Sequence, residues 1–357
     1  MPNRTGLWLR REVSAHEQRT PLVPADAAAL VAAGVDVTVE QAPQRIFPID
    51  QYVAAGCRIM PTDTWPSAPP DTFVLGVKEP GPAPRALKHR HVFFGHTYKG
   101  QTGAAELLGR FVAGNGTLLD LEALVDDDGR RLVAFGFWAG YVGAALAVLH
   151  HRGELTPPLR STTREQLDAL LRQTTASERA LVIGALGRSG RGAREALATA
   201  GVCVTAWDVD ETRTLDRARV VEHDILVNTV FADGPGPPFL TVRDLTRSDR
   251  QLRTVSDVTC DVTSACNRLP VNDQATSWAA PARALHSGPR PLDILAVDNL
   301  PSLIPRESSA AFSADLMPHL VTLADGSPVW QRCQDRFRNA VNSVNAVAEL
   351  AEEERRG

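Results

Sequence analysis

The sequence predicts an α/β protein of two domains, each a largely parallel sheet flanked by helices, with a cleft between them. Three observations predict it. Short apolar runs alternate with helical stretches over residues 1–134, the pattern of parallel strands joined by crossover helices. A second strand–turn–helix–strand pattern begins at Ala180 and carries a glycine-rich turn. The length, 357 residues, suits two domains of ordinary size better than one.

Taken in order, Leu7–Leu9 reads as a short apolar strand, and Val35–Glu40 as an alternating one. Between them Pro24–Gly34 (PADAAALVAAG) reads as a helix, with Pro at its start and Gly at its end. Thr72–Val77 (TFVLGV) is a buried strand ending at Lys78 and Glu79. His91–Gly95 (HVFFG) is another, ending at His96. Gly103–Ala113 is a helix, and Gly116–Leu121 a strand ending at Glu122. Ala134–His150 is apolar on nearly every side, so it is expected as a buried helix linking the domains. A polar segment with helix Thr163–Gln173 follows. In the second block, strand Ala180–Ile183, helix Ala193–Ala200 and strand Val202–Trp207 are followed by strands Asp224–Val230 and Arg253–Val258. The amphipathic C-terminal helix, Pro328–Glu353, is expected to return to the first domain. The expected division is 1–134 completed by 328–357, and 135–327.

With 43% hydrophobic and 22% charged residues, the chain is neither disordered nor fibrous. A net charge of −4 leaves no electrostatic footprint for nucleic acid or an anionic membrane, and neither partner is expected. No apolar run is long enough to span a bilayer, and the N-terminus lacks a signal-peptide core, so a cytoplasmic protein is expected. The five cysteines form no C-x-x-C, which argues against a disulfide framework or a zinc site; no metal is expected. Only three lysines, Lys78, Lys88 and Lys99, stand against 35 arginines. Arg serves as the generic cation here, so a remaining Lys marks a place where a removable proton is needed. Lys88 lies in a polar, proline-rich stretch and fits a surface role; Lys78 and Lys99 follow apolar runs.

The segment ALVIGALGRSGRGAREALATAGVCVTAWDVDE carries the clearest motif. Its turn holds Gly184, Gly187, Arg188, Ser189, Gly190 and Gly192, and Asp208 closes the next strand, 24 positions after the first Gly. Glycines let the backbone approach a pyrophosphate, and the helix N-terminus offers unpaired N–H groups and a positive dipole end. A carboxylate at Asp208 accepts from ribose hydroxyls and repels a 2′-phosphate, which favours NAD over NADP; Arg213, nearby, moderates that preference. The spacing is G-x-x-G-x-x-G rather than G-x-G-x-x-G, and a tight turn alone would explain the glycines; the complete strand–turn–helix–strand unit argues for a Rossmann-like domain. Ligands of such sheets lie beyond the carboxyl ends of the strands, which places Asn228, Thr229 and Asp257 near the cofactor.

In the first block, three apolar strands each end in ionisable residues: Lys78 with Glu79, His96 with Lys99, and Glu122. Parallel strands bring such ends to one sheet edge. An unperturbed Lys, at about 10.4, is too basic for acid–base work near neutrality. Desolvation or a second cation would lower it, while Glu79 and Glu122 would limit the fall. His already titrates in the useful range. Structural ion pairs are the competing explanation.

At these residues the chain resembles the NAD-dependent, lysine-forming saccharopine dehydrogenases, relatives of alanine dehydrogenase. The resemblance runs through LWLRREV…EQRTPLVP, GVKEP, FFGHTYKGQ, GTLLDLEAL, GRRLVAFGFWAG, IGALGRSGRGA, AWDVDET, DVTCDVTSACNRLPV and ILAVDNLPSLIPRESSAAFS. It implies that Lys78 exchanges the proton of a secondary amine and that His96 is the acid–base group for forming and hydrolysing an imine. Glu79 and Glu122 would tune those two. Arg19 and Arg131 would meet substrate carboxylates, a role suited to a bidentate guanidinium. Phe135 would join the substrate side. Lys99 and Asp298 would pair at the cleft, with Asp298 and Leu300 counted on the cofactor side and Asp208 on the ribose. The implied cofactor is NAD, and the implied partner a small amino-acid substrate bound by a monomer or small homo-oligomer.

Three positions depart from the pattern of the fungal members. Ser14 stands where they have Lys, Asn299 stands where they have His, and only His150–Ala180 stands where they carry a longer insert. These departures leave the acid–base set intact but touch the edge of the cleft. The default substrate pair is lysine plus 2-oxoglutarate. A relative acting on another N6-substituted lysine, an N–N-linked analogue or a different amino-acid-derived amine is the alternative, and the Arg-heavy, Ala-rich composition suggests a bacterium where such recruitment occurs. A non-catalytic NAD-binding protein is expected to lack Lys78 or His96, and both are present. Alanine-dehydrogenase-like activity is disfavoured by the motifs above.

Overall fold

In the computed structural model, residues 5–98, 103–174, 177–232, 234–260, 262, 264 and 266–356 are described, with side chains through 343. The chain divides into two units: 1–134 with 309–357, and 135–308.

The apolar runs of the first unit form six strands: β1 (Gly6–Leu9), β2 (Asp36–Glu40), β3 (Arg58–Met60), β4 (Phe73–Leu75), β5 (Arg90–Phe93) and β6 (Thr117–Asp120). Every neighbouring pair is parallel, in the order β3-β2-β1-β4-β5-β6. This is a doubly wound sheet whose strand order reverses between β1 and β4. The crossovers are α1 (Pro24–Ala32), α2 (Ile49–Ala54) and α3 (Ala104–Gly114). Helix α3 is amphipathic and buries Leu107, Leu108 and Phe111 in a cluster with Trp8, Trp65, Phe93 and Leu118. Each such burial stabilises by about 1.5–3 kcal/mol.

The second unit holds α4 (Gly136–His151), α5 (Arg164–Leu171), α6 (Arg188–Thr199), α7 (Val209–Arg213), α8 (Arg217–Val221) and α9 (Val242–Leu245). Its strands are β7 (Arg179–Ile183), β8 (Cys203–Trp207), β9 (Ile225–Asn228), β10 (Thr254–Asp257), β11 (Arg283–His286) and β12 (Leu292–Leu295). They are ordered β11-β12-β10-β9-β7-β8, with only β11 antiparallel to its neighbour. Apolar α4 is buried along Tyr141–Leu149, as expected for a helix hydrophobic all round. It meets α6 almost backbone to backbone. A Cβ on Gly140 would stand 1.7 Å from the Ser189 carbonyl oxygen, and one on Gly192 1.9 Å from that of Phe137.

Two expectations are corrected here. Helix α6 begins at Arg188, not Ala193. Gly190 and Gly192 lowered the apparent helix propensity of this segment, but both lie inside the helix, where close packing excludes a side chain. The second unit ends at Ser308 rather than 327. Residues from Ser309 onward in α10 (Pro305–Leu320) belong with the first unit: the Ser309 and Ser313 hydroxyls accept from the backbone N–H of Thr20 (2.9 Å) and Val23 (3.0 Å). Phe312 also packs 5.6 Å from Phe94. The last helix, α11 (Pro328–Arg356), places Phe337 in the first unit's core. Among the described residues, no helix is long and apolar enough to cross a membrane.

Candidate active site

Strands β4, β5 and β6 are neighbours, about 4.8 Å apart, so their carboxyl ends bring Lys78, His96 and Glu122 to one sheet edge. His96 Nδ1 lies 3.2 Å from Glu122 Oε1, and Arg131 Nη2 lies 3.6 Å from the same oxygen. The imidazole is half exposed while Glu122 is largely buried. The histidine is thus anchored on one ring nitrogen and open to a reactant. His96 has φ +51, a left-handed conformation uncommon outside glycine. Glu79 is exposed and lines, with Glu106 and Arg110 of α3, a pocket of about 260 Å³. Lys99 lies outside the described residues.

The Lys78 peptide is gripped on both sides. Glu12 accepts from the N–H groups of Val77 (2.7 Å) and Lys78 (3.1 Å), and the Arg10 guanidinium donates to the Lys78 carbonyl. Arg10 and Glu12 are both buried and pair at 3.6 Å. They follow β1, the partner of β4 at the point where the strand order reverses. The guanidinium passes where a Gly76 side chain would stand, since a Cβ there would lie 2.4 Å from it. Sequence reasoning missed both residues, although a charged pair directly after an apolar strand was the available signal.

Arg19, expected at a substrate carboxylate, is 3% exposed, and its Nε and Nη2 donate to the two Glu17 oxygens at 2.8 and 2.6 Å. Burial alone would raise the Glu17 carboxyl. The Arg19 guanidinium outweighs it, with Lys78 adding a little, and holds Glu17 below the usual carboxylate range. Glu17 is therefore an anion within electrostatic reach of Lys78, and it was also missed.

In the second unit, Gly184 takes φ +83 between β7 and the turn. A Cβ there would meet the Thr229 hydroxyl at 2.8 Å, and that hydroxyl donates to the Ile183 carbonyl. Gly187 caps α6 with no side chain, so the N-cap itself makes no side-chain hydrogen bond to the first turn of this 12-residue helix, where Arg188 and Ser189 stand. A Cβ on Gly190 would stand 2.1 Å from the Gly184 carbonyl. Asp208, at the end of β8, accepts from the Leu186 N–H (2.8 Å), tying its carboxylate to the glycine turn. This uncapped helix start, close glycine turn and carboxylate on the adjoining strand fit a dinucleotide.

Asn228 and Asp257 are buried and joined at 3.0 Å, and Asn272 holds the other Asp257 oxygen at 3.0 Å. Both site candidates thus act as struts beneath the turn. Asp298 is exposed and accepts from the Asn299 backbone and amide, with Asn299 left-handed at φ +57. Leu300 is buried, within reach of a Cβ placed on Gly143. Phe135 is the N-cap of α4. Three exposed apolar residues not singled out from sequence adjoin the motif: Leu186 in the turn, Val209 after Asp208, and Phe231 two past Thr229. Among the described residues, no group of three or more His, Cys, Asp or Glu side chains could hold a metal ion.

Residues 8–142 match the family model for the alanine dehydrogenase/PNT N-terminal domain. A saccharopine dehydrogenase (NAD+, L-lysine-forming) of Neurospora crassa is 41% identical over 366 residues, covering 95% of this chain and 97% of that protein. Its counterpart in Schizosaccharomyces pombe is 38% identical over 363 residues, covering 95% and 99%. A solved L-alanine dehydrogenase superposes with a TM-score of 0.69 at 17% identity, covering 95% of this chain and 99% of that one, which speaks for the fold.

Proposed function

The chain belongs to the NAD-dependent, lysine-forming saccharopine dehydrogenase family, and from that premise we propose that it oxidises saccharopine with NAD+ to lysine and 2-oxoglutarate, reversibly. The observation that supports the acid–base part is the His96–Glu122–Arg131 cluster past the ends of β5 and β6, together with the pairing of β5 to β4, the strand that leads to Lys78.

Bound NAD+ supplies the hydride acceptor. Lys78 takes the proton of the secondary amine as the hydride leaves the amine-bearing carbon of the glutaryl portion, and the C=N bond forms. His96 takes a proton from the water that adds to the imine carbon, while Lys78 returns the amine proton to nitrogen. His96 then gives its proton to nitrogen as the C–N bond breaks, the hydroxyl proton passes to Lys78, and lysine departs from 2-oxoglutarate. Glu122, 3.2 Å from His96, favours the imidazolium between those two transfers, and Arg131 offsets the carboxylate's charge. Glu79 adds negative charge beside Lys78. Arg131, and Arg19 through its exchange with Glu17, meet substrate carboxylates, and Phe135 serves the substrate as well. The first turn of α6 takes the pyrophosphate and Asp208 the ribose hydroxyls. The proposal includes a cytoplasmic, bacterial enzyme, monomeric or a small homo-oligomer; free cysteines and the Arg-heavy composition support that setting. No observation favours another amine substrate or a non-catalytic role.

The test is NADH oxidation scored against a panel of 2-oxo acids and amines. Lysine with 2-oxoglutarate is expected to give the highest kcat/KM. A higher value for any other pair overturns the substrate assignment.

A further inference from the structure

We propose that Asp120 is a positioning residue for the His96–Glu122 pair: one of its carboxylate oxygens holds the backbone of both loops on which those side chains stand. The inference rests on the acid–base reading of His96 given above. Asp120 is the last residue of β6 and is fully buried. Its Oδ1 accepts from the Gly95 N–H (3.2 Å) and from the Glu122 N–H (2.9 Å). Gly95 immediately precedes His96, so a single oxygen ties the end of β5 to the turn after β6.

The geometry around that oxygen is specialised. A Cβ on Gly95 would come 2.7 Å from the Leu118 side chain and 3.0 Å from Asp120 Oδ2, so only glycine lets the loop approach the carboxylate this closely. His96 follows with φ +51, a conformation that a histidine keeps only where neighbouring contacts over-determine it. The Gly95 hydrogen bond supplies such a contact. The second oxygen, Oδ2, is buried with no hydrogen-bond partner among the described residues. Folding leaves such an atom unpaired at a cost, which argues that the carboxyl is kept for something packing alone does not need.

The group is also electrically coupled to the site. Burial pushes the Asp120 carboxyl up to about 6; the two backbone N–H groups pull it down, Glu122 adds to the rise, and His96 opposes it. Other titratable groups near it are Tyr98 and the buried Cys333 thiol of α11, both raised first by burial and then by Asp120 itself. Arg336 stands over the Tyr98 ring, and Arg131 reaches Glu122. Charges on Asp120 and His96 therefore attract one another.

Asp120→Asn keeps an acceptor for both N–H groups but removes the charge; Asp120→Ala removes the acceptor. The readouts are the pH profile of kcat/KM in both variants and the titration of His96, followed by NMR on histidine-labelled full-length protein without substrate. Asp120→Asn is expected to keep kcat within about tenfold while moving the His96 titration and the acid limb to lower pH. Asp120→Ala is expected to lower kcat by about 10²-fold with NADH Kd unchanged. If both variants titrate at His96 within about 0.2 unit of the parent protein, the proposal is overturned. Should the Ala variant prove insoluble, the Asn titration decides alone. A parent protein inactive on saccharopine whose His96 titration still follows Asp120 would overturn the substrate reading and leave this one standing.

Discussion

Replacing Glu12 with Gln removes one charge from beneath Lys78 with little change in shape. Glu12 is buried, accepts from two backbone N–H groups at 2.7 and 3.1 Å, and faces the equally buried Arg10 guanidinium at 3.6 Å. A Gln carbonyl serves at most one of those N–H groups well, and its NH₂ opposes the other. Hydrogen bonds to a charged acceptor contribute about 1.5–3 kcal/mol each, and leaving one member of a buried pair uncompensated costs about 3–5 kcal/mol. The two descriptions overlap, so the expected loss is about 3–5 kcal/mol in total. That is a large part of an ordinary domain's 5–15 kcal/mol. Native-state amide exchange read by mass spectrometry assigns the loss to the first unit, which a single denaturation curve for two units does not. Because the same carboxylate fixes the Lys78 peptide, kcat should fall by about 10- to 100-fold with NADH affinity unchanged. A loss below about 1 kcal/mol in the first unit, together with a kcat within twofold of the parent, would refute the clamp.

Further expectations follow from the same geometry. Lys78→Met and His96→Gln should each lose about 10²–10⁴ in kcat with NADH Kd unchanged, and the double variant should lose less than the product; a Lys78→Met variant of near-parental kcat would make Lys78 structural. The parent should prefer NAD(H) by kcat/KM, and Asp208→Ala should weaken NAD more than NADP; an equal loss for both would mean that the carboxylate only ties the turn. Gly192→Ala in α6 should destabilise by about 1–3 kcal/mol or more because its Cβ meets the Phe137 carbonyl, whereas an open helical site would gain up to about 1 kcal/mol from the same change; thermal unfolding reads the sign. His91 is buried among Trp65, Phe93 and Phe111, and burial, with Arg10 adding, lowers its pKa well below 6.5. Only the unfolded chain then binds this proton as pH falls below about 6.5, so stability should drop there by up to about 1.4 kcal/mol per pH unit. His91→Phe should flatten that slope in urea titrations between pH 6.5 and 5, and an unchanged slope would assign the acid sensitivity elsewhere.

The strand ends were legible because a buried parallel strand is written as a continuous apolar run, and the first ionisable residue after it stands out. Lys78, His96 and Glu122 were found that way, and their convergence followed from parallel pairing. The contacts made beneath them were not legible. Glu12 and Asp120 act on backbone N–H groups, and a carboxylate's choice of backbone partner leaves no periodicity in a sequence. Arg19 illustrates a different difficulty: Glu17, two residues away, was visible, but the pairing depends on both being buried. The start of α6 was misplaced because intrinsic propensity counts Gly190 and Gly192 against a helix, while tertiary contact with α4 requires them. Likewise, residues 309–327 looked continuous with the second unit, since the serine contacts that bind them to Thr20 and Val23 span almost the whole chain. The short strands β3, β11 and β12 carried too few residues for an alternation to show.

In the proposed reaction, hydride leaves the glutaryl carbon of saccharopine and the imine collapses to lysine and 2-oxoglutarate. It is tested most directly with saccharopine deuterated at that carbon, incubated with NAD+ and the full-length protein, with all products read by mass spectrometry. Deuterated NADH is expected, together with lysine and 2-oxoglutarate in equal amounts. Unlabelled NADH accompanied by glutamate and an aldehyde, or no NADH at all, would contradict it.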